Sequence, residues 1–473
     1  MVPAIPLLPL ALFTLQPVAA DTPLRYPAAA VIRLIDTLSG KLDESHPGYY
    51  RYRSKSRVQQ YTDSLKATIT ADSLTTLEIY RKVKPFVSAI GCLHTGLQLP
   101  PAYVSQLNSQ PNLLPLQLLF DDRQATVTTN YSADSSLLPG AVITAINGKS
   151  IRDLLAVLLP AIPADGYNLT MKYKTLYHQF PSWYRSMIGP AGTFTLTLSD
   201  GRTVIIPAAR FEELARPGFL EEPSPRETLS FTLKGKTAIL TIRSFAASDV
   251  KRTGQHFRKY IDRVFLQLQQ QGIRQLIVDL RGNTGGTDGN AVYFTRHFFG
   301  QPFRYWDRIE VTPTIAGQIK GFTRLFYRKP ALREGTYRWK KSPVTREFDY
   351  YTLQQPARSV YNGKTYILTD GFCMSSCADV AAILSFHRKA VFIGEETGGG
   401  YQGNTSGMMP VVELPPVSLL LTVPLQQYYN AVDTTLHRGH GTPPDYAVPL
   451  TANAVINGID QPMELALRLA GAM

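Results

Sequence analysis

Several features are missing from this chain, and each absence narrows the field. Beyond Ala20 no stretch reaches ~18 uncharged apolar residues, so no membrane-spanning helix is expected there. There is no zinc-ligand spacing, no RNP-type motif and no basic heptad region, so nucleic-acid binding has no recognisable vehicle despite a net charge of +13. No internal repeat is evident. Cysteine is scarce, with three in 473 residues. Lysine is absent from Glu395 to the C-terminus. What remains is ordinary: 44% hydrophobic and 18% charged residues describe a globular chain and not a disordered one. At ~100–200 residues per domain, two to four domains are expected.

Met1 to Ala20 are uncharged and mostly apolar, and they end in Val18-Ala19-Ala20 before Asp21. Small residues ahead of a polar one fit a signal-peptidase site, although the segment carries no Lys or Arg near its start. An exported protein is expected, in an oxidising compartment. No cysteine sits at the cleavage point, so neither a lipid anchor nor any other stable membrane anchor is expected. Basic charge concentrates between Lys320 and Lys341, with eight Lys or Arg and a single Glu. That reads as a solvated basic face, drawn to an anionic envelope or substrate, and not as a nucleic-acid site.

Along the chain, residues 21–112 read as a helical domain, with apolar residues at helical spacing over Ala28–Leu42 and Val58–Ile90 and a break at His46-Pro47-Gly48. Residues 113–208 read as strands and turns. Within them, Pro139-Gly140 feeds an alternating strand Val142-Thr144-Ile146, and Asn147-Gly148 turns it back before a short helix from Ile151 to Leu158. This resembles the signature of PDZ domains. Gly148-Lys149-Ser150 is not a phosphate loop, because the glycine such a loop needs five residues earlier is Ile143. From about 225 to 473 strands and helices alternate, which predicts a layered α/β core with buried parallel strands. Residues 303–360 interrupt it as a polar, aromatic and basic insertion, long enough to be a lid.

Two strand-to-helix turns hold the chemistry. Val278-Asp279-Leu280-Arg281-Gly282-Asn283-Thr284-Gly285-Gly286 leaves backbone N–H groups bare near a helix start, the geometry an oxyanion needs, although alone it is equally a phosphate site or a plain tight turn. Thr369-Asp370-Gly371-Phe372-Cys373-Met374-Ser375-Ser376-Cys377 places a hydroxyl at the mouth of a helix. By itself such a serine is equally well a helix cap.

Together the turns resemble the catalytic pair of the C-terminal-processing (tail-specific) and tricorn-core serine peptidases. That family follows a DLRxNxGG turn with a nucleophile turn, a G-E-x-T-G strand end and a closing G-V-x-P-D motif. The counterparts here are Ile393-Gly394-Glu395-Glu396-Thr397-Gly398-Gly399 and Gly441-Thr442-Pro443-Pro444-Asp445, in the family's order. The resemblance spans roughly residues 90–470. It implies a layered, ClpP/crotonase-like catalytic core in an α/β multidomain chain, with an N-terminal helical domain and a PDZ-like β domain. It also implies Ser375 as nucleophile, with Ser376 as the alternative, and the amides of Gly286 and Ser376 as oxyanion donors, with Gly285 as the alternative to Gly286. The Glu usually three residues after the nucleophile is Ala378, and the position of the tail-specific general-base Lys is Gly400. The Ser–His branch takes its base from an upstream segment similar to Ile90-Gly91-Cys92-Leu93-His94-Thr95, which nominates His94, with His437 and His440 as competitors. Asp433 is the implied orienting acid, with Glu395 and Glu396 as competitors, and Asp279 and Arg281 are read as structural.

The implied activity is hydrolysis of a polypeptide through an acyl-enzyme, without metal or cofactor. A non-catalytic peptide- or ligand-binding protein on the same scaffold is the rival, because the family Lys and Glu are both lost. If His94 reaches Ser375, Cys92 comes near Cys373 and Cys377. A disulfide from Cys92 to either one, or three buried thiols, are then the two alternatives.

Overall fold

The computed structural model describes residues 24–221, 227–321, 324, 326–341 and 349–472. The segment Met1–Ala20 and part of the basic stretch lie outside them. The architecture is mixed α/β and multidomain. A six-stranded sheet runs Leu229–Lys234, Thr237–Ile242, Gln275–Asp279, Lys364–Thr369, Val391–Gly394, Tyr446–Ala447 in spatial order, with only the first pair antiparallel. Alternation along Gln275–Asp279 serves both faces: Leu276 and Val278 pack with helices Phe257–Gln270 and Ser376–Phe386, and Ile277 packs with helix Gln461–Leu469. Being covered on both sides, these strands read as continuous apolar runs.

The stretch expected as an insertion is built into this core. Its strand Trp306–Val311 pairs antiparallel with Gln426–Asn430, and Trp306, Ile309 and Val311 are buried with the α/β layer. The side chains of this strand form part of the domain wall, not a detached cover.

Residues 113–208 form an antiparallel sheet of Leu116–Phe120, Ala125–Asn130, Val142–Ile146, Thr193–Leu198 and Thr203–Pro207. They also contain the helix Thr170–Met187, which an expectation of strands and turns missed. Its sequence is rich in tyrosine and β-formers and contains Pro181, yet Met171, Thr175, Leu176, Phe180, Tyr184 and Met187 fall on one buried face. Packing overrides propensity here. The helical stretch read over Val58–Ile90 is two helices, Lys55–Ala67 and Thr76–Ser88, the second starting on a capping box between Thr75 and Glu78.

The expected border at 112/113 falls inside one apolar core. Val31, Leu38, Val83 and Phe86 share it with Leu116, Val127, Leu158 and Phe194, and also with Leu419 and Leu421 from far down the chain. Strand Gly96–Gln98 pairs antiparallel with Leu419–Thr422, which stitches the segment after His94 to the C-terminal half.

Candidate active site

Strand Lys364–Thr369 ends at Asp370, whose carboxylate organises both turns. Its Oδ1 accepts from Phe372 N at 3.0 Å within its own turn and from Gly282 N at 2.9 Å across in the other. Met374 N donates to Asn283 O at 3.2 Å, completing the lacing. Ser375 then stands at the mouth of helix Ser376–Phe386 with φ +50° and ψ −132°, and its side chain makes no cap bond. A non-glycine residue in this region costs on the order of 1–3 kcal/mol and persists only where its surroundings enforce it. Glycines make the room: a Cβ on Gly285 would lie 2.7 Å from Ser375 Cβ, and one on Gly399 would lie 3.0 Å from Ser375 N. Ser376, by contrast, is buried at 1% exposure as the first helical residue. The half-buried Ser375 is the more accessible hydroxyl.

The amides around it divide cleanly. Gly285 N is consumed by Asn283 Oδ1 at 2.9 Å. Gly286 N has no acceptor among the described residues, and neither has Ser376 N, an orphan of the first helical turn. Gly286 takes φ +130° with Ala246 N where a Cβ would stand, only 2.2 Å away, so no larger residue fits.

His94 reaches this region through a carboxylate that sequence reasoning did not single out. Asp165 accepts from Leu93 N at 3.0 Å through one oxygen and from Gly400 N at 3.0 Å through the other. It thereby pins the residue before His94 to the residue after Gly399. Asp165 is buried (3%), and its charge and that of His94 stabilise one another. Burial pushes the imidazole below its ordinary value, against the pull of Asp165 and of the Thr405 carbonyl. Burial likewise pushes the Asp165 carboxyl up, opposed by His94 and by the Leu93 and Gly400 amides. Residues 402–405 are clamped from the N-terminal side. Arg51 donates to Gly403 O at 3.0 Å and to Gln402 O at 3.2 Å, and Cys92 Sγ donates to Thr405 O at 3.4 Å. Nδ1 of His94 is buried without a hydrogen-bond partner, and no hydrogen bond joins the imidazole to Ser375 Oγ among the described residues. The signal available in sequence for Asp165 was slight: an Asp-Gly pair after the short helix expected from Ile151 to Leu158.

The other nominated residues are placed as follows. Asp433 is exposed, and its Oδ1 accepts from both N and Oγ1 of Thr435 at 2.8 and 2.7 Å. It bonds its own turn and not His94. Glu395 accepts from Leu450 N, and Glu396 accepts from Gly441 N at 2.7 Å and Asn168 Nδ2 at 3.0 Å. His437 and His440 are exposed. His437 packs edge-on against Tyr401, and His440 Nδ1 lies 3.4 Å from Glu396. Asp279 is buried between Arg243 and Arg281, and Arg281 reaches on to Asp460. All three cysteines are buried free thiols, so the disulfide alternative fails: Cys373 Sγ donates to Leu280 O at 3.1 Å, and burial pushes the Cys92 thiol up to about 12.

A lysine does come close to the nucleophile turn, from an unexpected direction. Lys174 of helix Thr170–Met187 lies 3.1 Å from Asp370 Oδ2. Burial opposes its charge, but Asp370 and Glu395 hold it above the ordinary lysine value. A charged lysine is a brace for the turn and no proton acceptor.

Residues 236–448 match peptidase family S41. No curated protein matches the chain in sequence. Among solved structures, mature CPAF in complex with lactacystin superposes with a TM-score of 0.62 at 12% identity, over 94% of this chain and 98% of that one. Mature CPAF without it gives 0.61 at 12%, over 94% and 96%. At this identity the likeness speaks for the fold. The photosystem II D1 C-terminal processing protease follows at 0.40 and 14%, over 91% and 96%. Among the described residues no helix is long and apolar enough to cross a membrane. Residues 236–448, with a serine at the mouth of the helix after the central strand, are a peptidase family S41 region, and the chain is a serine-type peptidase.

Proposed function

We propose that the chain is an exported peptidase that cleaves polypeptides through an acyl-enzyme on Ser375. The observation that carries this reading is the conjunction, at one helix mouth, of a strained, half-buried serine and two amides without acceptors. Ser375 Oγ attacks the scissile carbonyl carbon while its proton passes to His94. The carbonyl oxygen takes the charge and is met by the amides of Gly286 and Ser376. His94 then returns the proton to the departing amine as the C–N bond breaks. Water repeats the sequence on the ester and frees the enzyme.

Asp165, in place of Asp433, is the acid that orients His94. It is the carboxylate whose charge acts on the imidazole, and it ties Leu93 to Gly400. Residues 113–208 serve as a PDZ-like platform that docks an extended peptide by strand addition. The layered sheet serves as a ClpP/crotonase-like core, and residues 21–112 supply the base. Export rests on Met1–Ala20. The rival reading, a binding protein on the same scaffold, draws on the missing hydrogen bond between His94 and Ser375. An unliganded site often closes that bond only with substrate present. Fluorophosphonate labelling decides between them. A peptidase is labelled at Ser375 and loses the label in Ser375→Ala; a binding protein is not labelled. Labelling at Ser376 would move the nucleophile by one residue.

A further inference from the structure

A cleft of about 330 Å³ opens beside the segments that carry His94 and Asp165. Its floor is Gly91 and Gly166, joined by a hydrogen bond from Gly166 N to Gly91 O at 2.9 Å. Gly91 lies three residues before His94, and Gly166 follows Asp165. Tyr52 and Tyr167 form one wall, edge to face with ring centres 5.8 Å apart. Tyr167 and Leu169 stand at the rim with 56% and 53% of their surface uncovered.

Two cations line this cleft, and neither has an acid. Lys172 Nζ donates to Leu159 O at 2.7 Å, and Arg53 Nη1 donates to Ala89 O. Neither makes an ion pair among the described residues. Burial, and then the charge of Arg53, bring Lys172 down to about 8. Two residues along the same helix, Lys174 has the carboxylate of Asp370. The chain therefore supplies an acid at one position and omits it at the other. Two cations that line one partly apolar cleft without an acid favour a bound anion, and a carboxylate can accept from both.

We infer that this cleft is a substrate subsite for a carboxylate-bearing residue of the peptide, held by Arg53 and Lys172 with its apolar part against Tyr167 and Leu169. The inference rests on the peptidase reading and adds a charge preference to it. The carboxylate has two sources: an acidic side chain within the peptide, or a free C-terminus.

The test compares kcat/KM for matched peptides on the full-length protein. In one arm a Glu/Gln pair is moved position by position along an amidated peptide. In the other, a neutral peptide is offered with a free or an amidated C-terminus. Charge-assisted hydrogen bonds predict about a tenfold or greater preference for the carboxylate, carried by KM, in one of the two arms. The arm that responds identifies the source. Arg53→Glu with Lys172→Glu is expected to reverse the preference towards Lys at the same position, and Lys172→Arg is expected to keep it. Equal rates for carboxylate and amide in both arms, on protein that fluorophosphonate labels at Ser375, would overturn the subsite and leave the peptidase standing. Protein that takes no label defeats the peptidase reading first. The wild-type comparison needs no variant to fold.

Discussion

The two halves of the proposed site, with Ser375 as nucleophile and His94 as base, are built in different ways. The nucleophile half is local. It consists of two turns that leave adjacent parallel strands, and the bonds from Gly282 N to Asp370 and from Met374 N to Asn283 span only neighbouring connections. The base half is assembled from afar. His94, Asp165 and residues 400–405 come from three regions of the sequence, and one buried carboxylate with two amide donors holds the first two to the third. A local half can be strained, because the sheet over-determines it. An assembled half depends on a few long-range bonds whose loss lets the segments part. The nucleophile half is therefore expected to be intolerant of added atoms, and the base half of lost ones.

The strongest break of the comparison is chemical. Ser375→Ala is expected to abolish turnover, with a loss in kcat on the order of 10⁶-fold, while leaving the melting temperature in place, because the half-buried side chain makes no hydrogen bond among the described residues. His94→Ala should cost about as much, since nucleophile and base act as a unit. In the intact protein the acid limb of kcat/KM should fall below the ordinary imidazole range of ~6.5, because burial disfavours the charged ring. Nearly full activity in His94→Ala would leave the base half without its reason.

Added atoms come next. Gly285 has φ +99°, and a Cβ there would stand 2.7 Å from Ser375 Cβ, 2.9 Å from Met374 O and 3.0 Å from Ser376 N, none of them a flexible tip. Gly285→Ala is expected to lower stability by more than about 1–3 kcal/mol and to displace the nucleophile. Denaturant unfolding and labelling rate read the two effects separately. Lost atoms in the base half follow. Asp165→Asn cannot accept both amides with two carboxylate oxygens, and it removes the charge facing His94. A drop in kcat of roughly 10²-fold or more, with KM little changed, is expected from the loss of imidazole orientation.

Legibility in the sequence followed the same division. The local half was readable because glycine spacing after an apolar strand specifies a turn before any tertiary contact is known. The pattern Val278 to Gly286 specifies its turn alone, whereas the serine after Thr369 became a candidate nucleophile only beside that turn. Asp165 was not readable, since nothing near it in sequence says that its two oxygens will meet residues 72 and 235 positions away. Helix Thr170–Met187 was missed for a related reason. Its tyrosines and threonines favour strand locally, and only the buried face over 113–208 selects helix. The border at 112/113 followed a change of secondary structure, whereas the apolar core ignores that change.

A smaller effect lies on the helix behind Ser375. Asp379 is buried, with Oδ2 accepting from Trp306 Nε1 and Oδ1 from Asn404 Nδ2, each at 3.3 Å. Burial raises its pKa to about 7 despite these bonds and that of Asn430, and the charge of Asp165 adds to the rise. An unfolded aspartate titrates near ~3.9, so between about pH 4 and pH 7 the native state binds more protons than the unfolded one. Stability therefore falls as pH rises through that window and levels off above it. Asp379→Asn should flatten this part of the pH–stability curve, leaving the variant at least as stable as the parent at pH 8. An unchanged slope would show that Asp379 is already ionised in the native state at pH 5.

The smallest expected effect is the most telling for the assembled half. Asp433 and Asp165 are the two leading carboxylates with a claim on His94, one from family resemblance and one from its charge and its bond to the neighbouring Leu93 amide. Asp433 is exposed, its Thr435 bonds hold it below the ordinary carboxylate value, and those bonds close a surface turn. Removing such an exposed turn bond costs little stability, and nothing in the chemical step depends on it. Asp433→Asn, which keeps an acceptor oxygen for Thr435, is therefore expected to leave kcat within about twofold of the parent and the pH profile unmoved, where Asp165→Asn lowers kcat. Both measurements use one neutral peptide and one protein concentration, so they are directly comparable. If instead Asp433→Asn lowers kcat as far as Asp165→Asn, the surface turn must fold in over the imidazole when substrate binds, and the acid of the triad comes from the loop before His437 and not from the buried carboxylate.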